Sequence, residues 1–334
     1  MVSAVIFVAT SCVSPLTGFA FWETNLAYEG ESIYNYLQVK NLSDRTILST
    51  NVLFGVQSVT MKDKGLTGMY YDTALAAPAL ADNANSALIL GMGAGTYARQ
   101  LKQYYPKMNI TGVEIDQKIT DLAGEYFDEP ADIPVTTYDG RAWLAASHDK
   151  YDVIMVYAYQ DITIPFQMSS TEFFTMVREH LNPGGVMVVN MNMISDGQGS
   201  INEALSDTIV SVFGNGNTLT ADVPNTTNRE LFAKKPGSGS EENSMQQASK
   251  ALNLRETTYE RTGSEDLEWY MEEVASRFRK VNEPDSASTI LTDDKAPVEV
   301  LGMHAIDQII ADEAGPYRQI LKDEGFGGLL RAVQ

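Results

Sequence analysis

Three glycines stand where an apolar run ends in the first third of the chain. The run is Ala87–Leu90, and it leads into Gly91, Gly93 and Gly95 before a helical pattern begins. A strand that ends in a glycine turn and opens into a helix lets backbone N–H groups approach a ligand closely. Glycine suits such a turn because it accepts positive φ angles and adds no side chain. The pattern predicts a small-molecule site at this turn.

Two acidic residues follow the next predicted strands. Glu114 ends the apolar run Ile110–Val113 and lies 23 residues after Gly91. A carboxylate about 20 residues beyond such a turn is placed to accept hydrogen bonds from a ribose. Asp139 follows the third predicted strand, where it could accept from an adenine amine while Gly140 leaves room for the ring. Asp139 could instead cap the helix that follows. Together these residues predict a pocket for an adenosine-type ligand.

The loop after the fourth predicted strand carries a third group of polar residues: Tyr157, Tyr159, Gln160 and Asp161. In an open α/β sheet this loop faces the ligand crevice, so its side chains are candidates for contact with a substrate. The alternative for the tyrosines is packing at the rim of the pocket.

Two other carboxylates have structural interpretations. Asp116 could contact a ligand or cap the helix after the second strand, and the cap is favoured; Asp152 is interpreted as an anchor for the start of the fourth strand.

Composition excludes several classes of function. The chain has 334 residues and a formal net charge of −20, which argues against nucleic acid as a partner because phosphate binding needs clustered Lys and Arg. The single cysteine, Cys12, allows no intrachain disulfide, and the three histidines show no metal-ligand spacing. We therefore expect no metal cofactor.

Predicted strands and helices alternate from residue 87 onward. Strands are predicted at 87–91, 110–114, 133–137, 151–157, 185–191 and 229–234. Helices are predicted at 96–105, 116–127, 140–147, 170–181, 201–213 and 264–280, with a further helical stretch at 70–80. Such alternation predicts an α/β fold, a mostly parallel doubly wound sheet with ligands at the carboxyl ends of its strands. Short alternating runs from Tyr28 to Val59 predict a small antiparallel β-domain before it.

These patterns divide the chain into four parts: an apolar N-terminal segment (1–21), a small β-rich domain (22–80), a Rossmann-like nucleoside-binding domain (81–310) and a C-terminal tail (311–334). The first segment carries no charge and has about the length needed to cross a bilayer. It could be a trimmed membrane helix, an atypical signal segment or an apolar arm packed on the domain, and we favour a membrane-derived segment. The protein is then expected in the cytoplasm, with a membrane association through residues 1–21.

Several motifs, in order, resemble the spermidine synthase (polyamine aminopropyltransferase) family, especially divergent members fused to membrane-spanning segments. The motifs are Tyr70-Tyr71-Asp72, the glycine turn, Val113–Asp116, Tyr138–Gly140, the loop after the fourth strand and Leu291–Asp294. The resemblance implies a small β-domain on a class I methyltransferase-like Rossmann domain, in a homodimer. It also implies decarboxylated S-adenosylmethionine as co-substrate and putrescine as the acceptor of its aminopropyl group.

The resemblance assigns roles residue by residue. Gly91, Gly93 and Gly95 match the family's glycine loop, Glu114 its ribose-binding acid and Asp139 its adenine-binding acid. Gln57 matches a glutamine near the ligand, and Asn35 stands where a glutamine is usual.

The positions that the family uses around the reacting amines carry other residues in this chain. Ala94 and Tyr157 replace two aspartates, one that holds the donor amine and one that accepts the proton, while Gln160 replaces a third. Tyr71 and Ala76 replace two histidines often seen in bacterial members. Tyrosine, with a pKa of about 10, is a poor base at neutral pH. Asp161, or Asp72, which stands where the family has a glutamate, could supply the missing carboxylate.

Three functions remain open from the sequence. The first is a divergent aminopropyltransferase with Tyr157, Asp161 and Asp72 in catalysis and Tyr71, Tyr159 and Gln160 at the substrate. The second is a methyltransferase that uses intact S-adenosylmethionine, favoured by Ala94 because losing an acid makes room for a donor carboxylate. The third is a nucleoside-binding module whose catalytic loop has decayed. A nicotinamide-dependent dehydrogenase is disfavoured because Thr96 replaces the third dinucleotide glycine.

Overall fold

The computed structural model describes residues 23–51, 56–63, 65–128, 130, 132–157, 164–191, 197, 199–237, 254–303 and 322. Residues 1–21 and most of the predicted C-terminal tail, 311–334, lie outside these ranges, so the predictions made for them stay predictions. Among the described residues, no helix combines the length and the apolar character that crossing a membrane requires.

A small antiparallel sheet leads the described chain. Its strands lie side by side in chain order: β1 (Leu26–Glu31), β2 (Tyr36–Asn41), β3 (Arg45–Thr50) and β4 (Ser58–Met61). Leu37, Val39 and Leu48 are fully buried on one face of this sheet, where they pack with Ile119 and Phe127 of the next domain. The predicted small β-domain is confirmed, and it packs directly on the larger domain.

The larger sheet has strands β5 (Ser86–Leu90), β6 (Asn109–Glu114), β7 (Val135–Thr137), β8 (Tyr151–Val156), β9 (Leu181–Met191), β10 (Thr218–Asp222), β11 (Arg229–Lys234) and β12 (Phe278–Lys280). Their order is β12-β10-β11-β9-β8-β5-β6-β7. The pairs from β9 to β7 are parallel, whereas β11, β10 and β12 add antiparallel pairs at the other side. The sheet is mixed and mostly parallel, as the alternating pattern predicts.

Helices cover both faces of this sheet. They are α1 (Tyr70–Ala74), α2 (Ala76–Leu80), α3 (Thr96–Tyr104), α4 (Gln117–Tyr126), α5 (Gly140–Ala146), α6 (Thr171–His180), α7 (Ile201–Phe213), α8 (Leu254–Thr262) and α9 (Glu265–Arg277). Short 3₁₀ turns lie at Phe166–Met168 and Asn215–Asn217. Because strand side chains alternate, Ile89 packs on the face with α1 to α3, whereas Leu88 and Leu90 pack on the face with α6 and α7.

The two structural carboxylates are confirmed. Asp116 caps α4 by accepting a hydrogen bond from the Lys118 N–H at 3.0 Å. Asp152 accepts from the Asn85 N–H at 2.8 Å and from the Asn182 amide at 2.8 Å, which ties the start of β8 to its neighbours.

The predicted helix at 264–280 is wrong at its end. The helix α9 stops at Arg277, and Phe278–Lys280 form the edge strand β12 paired with β10. The Phe278 ring contacts the Phe232 ring edge-on with centroids 5.7 Å apart, so packing against the sheet outweighs the local helical pattern. Helix α8 was not predicted.

The boundary between the domains at residue 80 stays a prediction. Helices α1 and α2 were assigned to the N-terminal domain, but Tyr70, Ala74 and Leu80 are buried in one cluster with Ile89 and Met155 of the larger sheet. Residues 70–80 therefore contribute to the core of the larger domain.

The direction of strand order reverses between β5 and β8. From β5 the chain adds β6 and β7 on one side, and it returns to add β8 and β9 on the other. Open α/β sheets have their ligand crevice at the carboxyl ends of the strands at such a point. Gly91, Glu114, Asp139 and Tyr157 all lie at or just after the carboxyl ends of these strands.

Candidate active site

A cavity of about 310 Å³ lies at this crevice, between the larger sheet and the small N-terminal sheet. Most of the predicted binding residues that the structure describes line it: Gln57, Gly91, Gly93, Glu114, Asp139, Gly140 and Tyr157. It is also lined by residues for which no role was predicted, including Tyr34, Ile115, Tyr138, Pro165, Gln167 and Met168. The structure thus brings together residues from the carboxyl ends of four strands of the larger sheet and from the small N-terminal sheet.

The glycine turn has the backbone conformation that its sequence predicts. Gly91, Gly93 and Gly95 have φ angles of 88°, 56° and 76°. A Cβ atom on Gly93 would lie 2.7 Å from the Ser58 Oγ, so there is no room for a side chain. Gly95 precedes α3 and is outside the cavity lining, so its contribution is to the turn itself.

Glu114 is the buried acid of the cavity. The residue is only 6% exposed, and its Oε2 accepts a hydrogen bond from the Gly93 N–H at 2.8 Å. Its Oε1 accepts from the Asp116 N–H at 3.1 Å. Burial raises the pKa of the Glu114 carboxyl, partly offset by these backbone donors. Since each carboxylate oxygen has two lone pairs, both can accept a further hydrogen bond from a ligand hydroxyl.

Asp139 caps a helix, as one of its two interpretations predicts, and it also lines the cavity. Its Oδ1 accepts from the Ala142 N–H at 2.7 Å and so caps α5. The same residue lines the cavity, and its Oδ2 accepts no hydrogen bond from the part of the chain that the structure describes. A single aspartate can therefore hold the helix end with one oxygen and present the other to a ligand.

Asn35 reaches the cavity from the turn between β1 and β2. Its amide donates to Asp116 Oδ2 at 2.9 Å, and the Ser32 hydroxyl donates to the same oxygen at 2.6 Å. The helix cap Asp116 thus also ties the small sheet to the larger domain. No local pattern in the sequence indicates this contact, because it joins residues 81 and 84 positions apart.

Three tyrosines pack together at the end of β8. The Tyr157 ring stacks on Tyr70 with centroids 4.7 Å apart and meets Tyr71 at 5.8 Å. The hydroxyls of Tyr70 and Tyr71 both donate to the Gln57 carbonyl oxygen. Burial raises the pKa of Tyr71 to about 12 and raises the pKa of Tyr70 well above its ordinary value, so these phenols stay neutral at physiological pH. Neither Tyr70 nor Tyr71 is among the residues that line the cavity, so the contact predicted between Tyr71 and the substrate stays a prediction.

The structure does not bring Asp72 to the cavity. Asp72 is fully buried, and its carboxylate accepts from the Thr67 N–H at 3.0 Å, the Thr67 hydroxyl at 2.8 Å and the Gly68 N–H at 2.6 Å. Burial raises the pKa of Asp72, and these donors offset part of that rise. The arrangement holds the turn before α1, which is a structural task rather than the catalytic one expected.

The other three polar residues predicted for the loop after β8 are Tyr159, Gln160 and Asp161, and they lie outside the described residues. Within the described part of the chain, no group of three or more His, Cys, Asp or Glu side chains is placed to hold a metal ion.

Comparison with known proteins gives a consistent picture. Residues 69–234 match the family model "Spermine/spermidine synthase domain". All 334 residues align at 99% identity with a protein of Bifidobacterium longum (strain NCC 2705) described as a "Probable polyamine aminopropyl transferase", and they cover 75% of that protein. The chain belongs to the polyamine aminopropyltransferase family.

Other members of this family are more distant. The polyamine aminopropyltransferase of Vibrio vulnificus (strain CMCP6) is 27% identical over 209 residues, which cover 60% of this chain and 69% of that protein. A crystal structure described as "a probable spermidine synthase from Corynebacterium glutamicum" superposes with a TM-score of 0.55 at 21% identity, over 79% of this chain and 98% of that one. A spermidine synthase in complex with the transition-state analogue AdoDATO superposes with a TM-score of 0.53 at 16% identity, over 75% and 88%. The two structures confirm the predicted fold.

Proposed function

We propose that the chain transfers an aminopropyl group from decarboxylated S-adenosylmethionine to a polyamine acceptor such as putrescine. The observation that carries the proposal is that the glycine turn, Glu114, Asp139 and Tyr157 all line the same cavity. The 99% identical relative, described as a polyamine aminopropyl transferase, supports the same activity.

The nucleoside half of the site is assigned to four groups. Glu114 accepts hydrogen bonds from the ribose hydroxyls, and the Oδ2 of Asp139 accepts one from the adenine amine. Gly91 and Gly93 let the ligand approach the backbone closely. Two carboxylates within one cavity also attract the positive charge of a sulfonium donor.

The transfer step is a displacement at carbon. The acceptor nitrogen attacks the CH₂ next to the sulfonium, a C–N bond forms as the C–S bond breaks, and the electron pair passes to sulfur. Methylthioadenosine leaves as a neutral thioether, and the new ammonium releases its proton to a base. We assign that base to Asp161, because burial raises the pKa of the neighbouring Tyr70 and Tyr71, and a phenol that stays protonated at physiological pH cannot accept a proton.

The methyltransferase alternative depends on Ala94. Ala94 is fully buried, its N–H donates to the Ser58 Oγ at 3.0 Å, and it is outside the cavity lining. Its position gives no support to a donor carboxylate at this point, so we do not adopt the alternative.

Calorimetric titration with decarboxylated S-adenosylmethionine, S-adenosylmethionine and methylthioadenosine tests the proposal, followed by product analysis with putrescine. We expect binding of the decarboxylated donor and formation of spermidine and methylthioadenosine in equal amounts. A methylated product would favour the methyltransferase, and binding without turnover would favour a decayed module.

Assembly and location remain proposals. We propose a homodimer in the cytoplasm with a membrane association through residues 1–21. Light scattering and fractionation of cells that express chains with and without those residues would test the two statements separately.

A further inference from the structure

Glu230 is a carboxylate inside the protein without a partner. It lies in β11 and is fully buried, and neither of its carboxylate oxygens has a hydrogen-bond partner within the described chain. Burial raises the pKa of this group well above its ordinary value. A buried polar group without a partner is costly and rare in folded proteins, so its presence calls for a reason.

The side chain of Glu230 faces the helical layer that contains the tyrosine cluster. Phe232, two residues further along β11, packs in one core cluster with Tyr70, Tyr97 and Tyr157. Because residues two apart on a strand share a face, Glu230 points into the same layer. Glu230 also adds to the rise in the pKa of Tyr97, after burial and Tyr105.

In the register of the larger sheet, Tyr157, Asn190 and Glu230 form one row across three neighbouring strands. Glu230 pairs with Asn190 of β9, and Val156 of β8 pairs with Val189, so the next positions, Tyr157 and Asn190, are neighbours. Neighbouring strands are about 4.8 Å apart, so about 10 Å separate the strands of Tyr157 and Glu230. Asn190 between them is buried, and its Oδ1 has no partner among the described residues.

An aliphatic diamine could supply the hydrogen-bond donors that the Asn190 Oδ1 and the Glu230 carboxylate lack. Its reacting nitrogen must lose a proton, whereas its far nitrogen stays a cation joined by an apolar chain. At the cavity end of the row, Tyr157 offers an aromatic surface to such a chain and lines the donor cavity. At the inner end stand an acceptor oxygen of Asn190 and the carboxylate of Glu230.

We propose that Glu230 binds the terminal ammonium of the polyamine acceptor, with the Asn190 Oδ1 as a second acceptor of its hydrogen bonds. The inference rests on the proposed aminopropyl transfer and assigns the far end of its acceptor. An ammonium there supplies the partner that the carboxylate lacks, and it fixes the near nitrogen at the cavity wall.

Steady-state transfer to putrescine and to butylamine, measured on the whole chain, tests this assignment. Butylamine has the same chain but no far ammonium. We expect the wild type to prefer putrescine in kcat/KM, and Glu230→Gln to reduce that preference about 10- to 100-fold through loss of charge-assisted hydrogen bonds. Affinity for methylthioadenosine should stay unchanged.

Asp207→Asn is the matched control. Asp207 is also a buried carboxyl with one unpartnered oxygen and a pKa raised by burial, but it lies on α7 at a different groove. It should leave the diamine preference unchanged. Glu230→Met serves as a second variant, and its thermal midpoint should rise because an unpaired buried carboxyl is replaced by an apolar side chain.

An unchanged preference in both Glu230 variants, with transfer intact, would overturn the assignment alone. Transfer to neither amine by a wild type that binds the decarboxylated donor would instead overturn the proposed function, and this inference with it.

Discussion

Arg141 and Asp293, 152 positions apart in the chain, form an ion pair with two hydrogen bonds of 2.7 and 2.6 Å. The Arg141 Nη1 also donates to the carbonyl oxygen of Gln167 at 2.7 Å, and Gln167 lines the cavity. The Ser170 hydroxyl donates to Asp293 as well. The segment Leu291–Asp294, whose role the sequence left unassigned, therefore fastens the 3₁₀ turn at the cavity wall to the start of α5.

Asp293→Asn should weaken the contact between the start of α5 and the 3₁₀ turn at the cavity. A bidentate Arg–carboxylate pair is stronger than an ordinary surface pair, yet Asp293 is partly exposed and so contributes about 1 kcal/mol. We expect a modest loss of stability and a several-fold weaker affinity for methylthioadenosine. Asp294→Asn is the control one residue away, and an equal effect from both variants would contradict the assignment.

The same pair has a defined pH dependence. Arg141 lowers the pKa of Asp293, so the pair stabilises the folded chain above the unfolded pKa near 3.9 and loses that contribution as the pH falls through the lower folded value. Denaturation of wild type and Asp293→Asn should therefore differ at pH 7 and converge in strong acid.

Glu114→Gln should reduce nucleoside affinity about 10- to 100-fold, because one carboxylate that accepts charge-assisted hydrogen bonds is lost. The pH dependence supplies a second measurement. Burial raises the pKa of Glu114 above its ordinary 4.5, and only the ionised form accepts from both ribose hydroxyls. Affinity of the wild type should fall as the pH drops through that raised value, whereas the variant should show a weaker dependence. A wild-type affinity that does not change between pH 4.5 and 8 would argue against a ribose at Glu114.

The cavity residues at the edge of the larger sheet could be predicted because their signals are local. The glycine turn, Glu114 and Asp139 each end or follow a strand, and strands of a parallel sheet bring their carboxyl ends to one edge whatever their order. The surroundings of Glu230 could not be predicted in this way. Glu230 was read as part of a strand at 229–234, but its neighbours depend on β11 pairing with β9, which no local pattern specifies.

Asp72 shows that a match to a family pattern does not fix where a side chain points. Its position in the family pattern indicated a catalytic acid, whereas the structure gives its oxygens to the Thr67 and Gly68 backbone. A sequence reports the residue type at a position, and the direction of the side chain follows from packing that is known only once the fold is built.

Gly93→Ala should destabilise the glycine turn. Gly93 has a φ of 56°, and an added Cβ would meet the Ser58 Oγ at 2.7 Å, which disturbs the hydrogen bond from the Ala94 N–H to that oxygen. We expect a loss of about 1–3 kcal/mol in the free energy of unfolding, together with weaker nucleoside binding. Gly124→Ala in α4 is the control, because its Cβ would meet nothing within 4 Å and should stabilise the helix by up to about 1 kcal/mol. A stable Gly93→Ala protein with normal affinity would contradict the close approach proposed at this turn.

Tyr157→Asp places a carboxylate at the position where the family resemblance expects one. If the loop after β8 serves aminopropyl transfer, the variant should raise kcat for putrescine at least several-fold, since a positioned general base contributes about 10²–10⁴-fold. It should also lower stability, because Tyr157 is only 8% exposed and its ring stacks on Tyr70. Tyr157→Phe keeps the stack without the hydroxyl and should change kcat little. Single-turnover transfer at several pH values would separate the two effects, and no gain for Tyr157→Asp in protein that remains folded would count against a catalytic role for this loop.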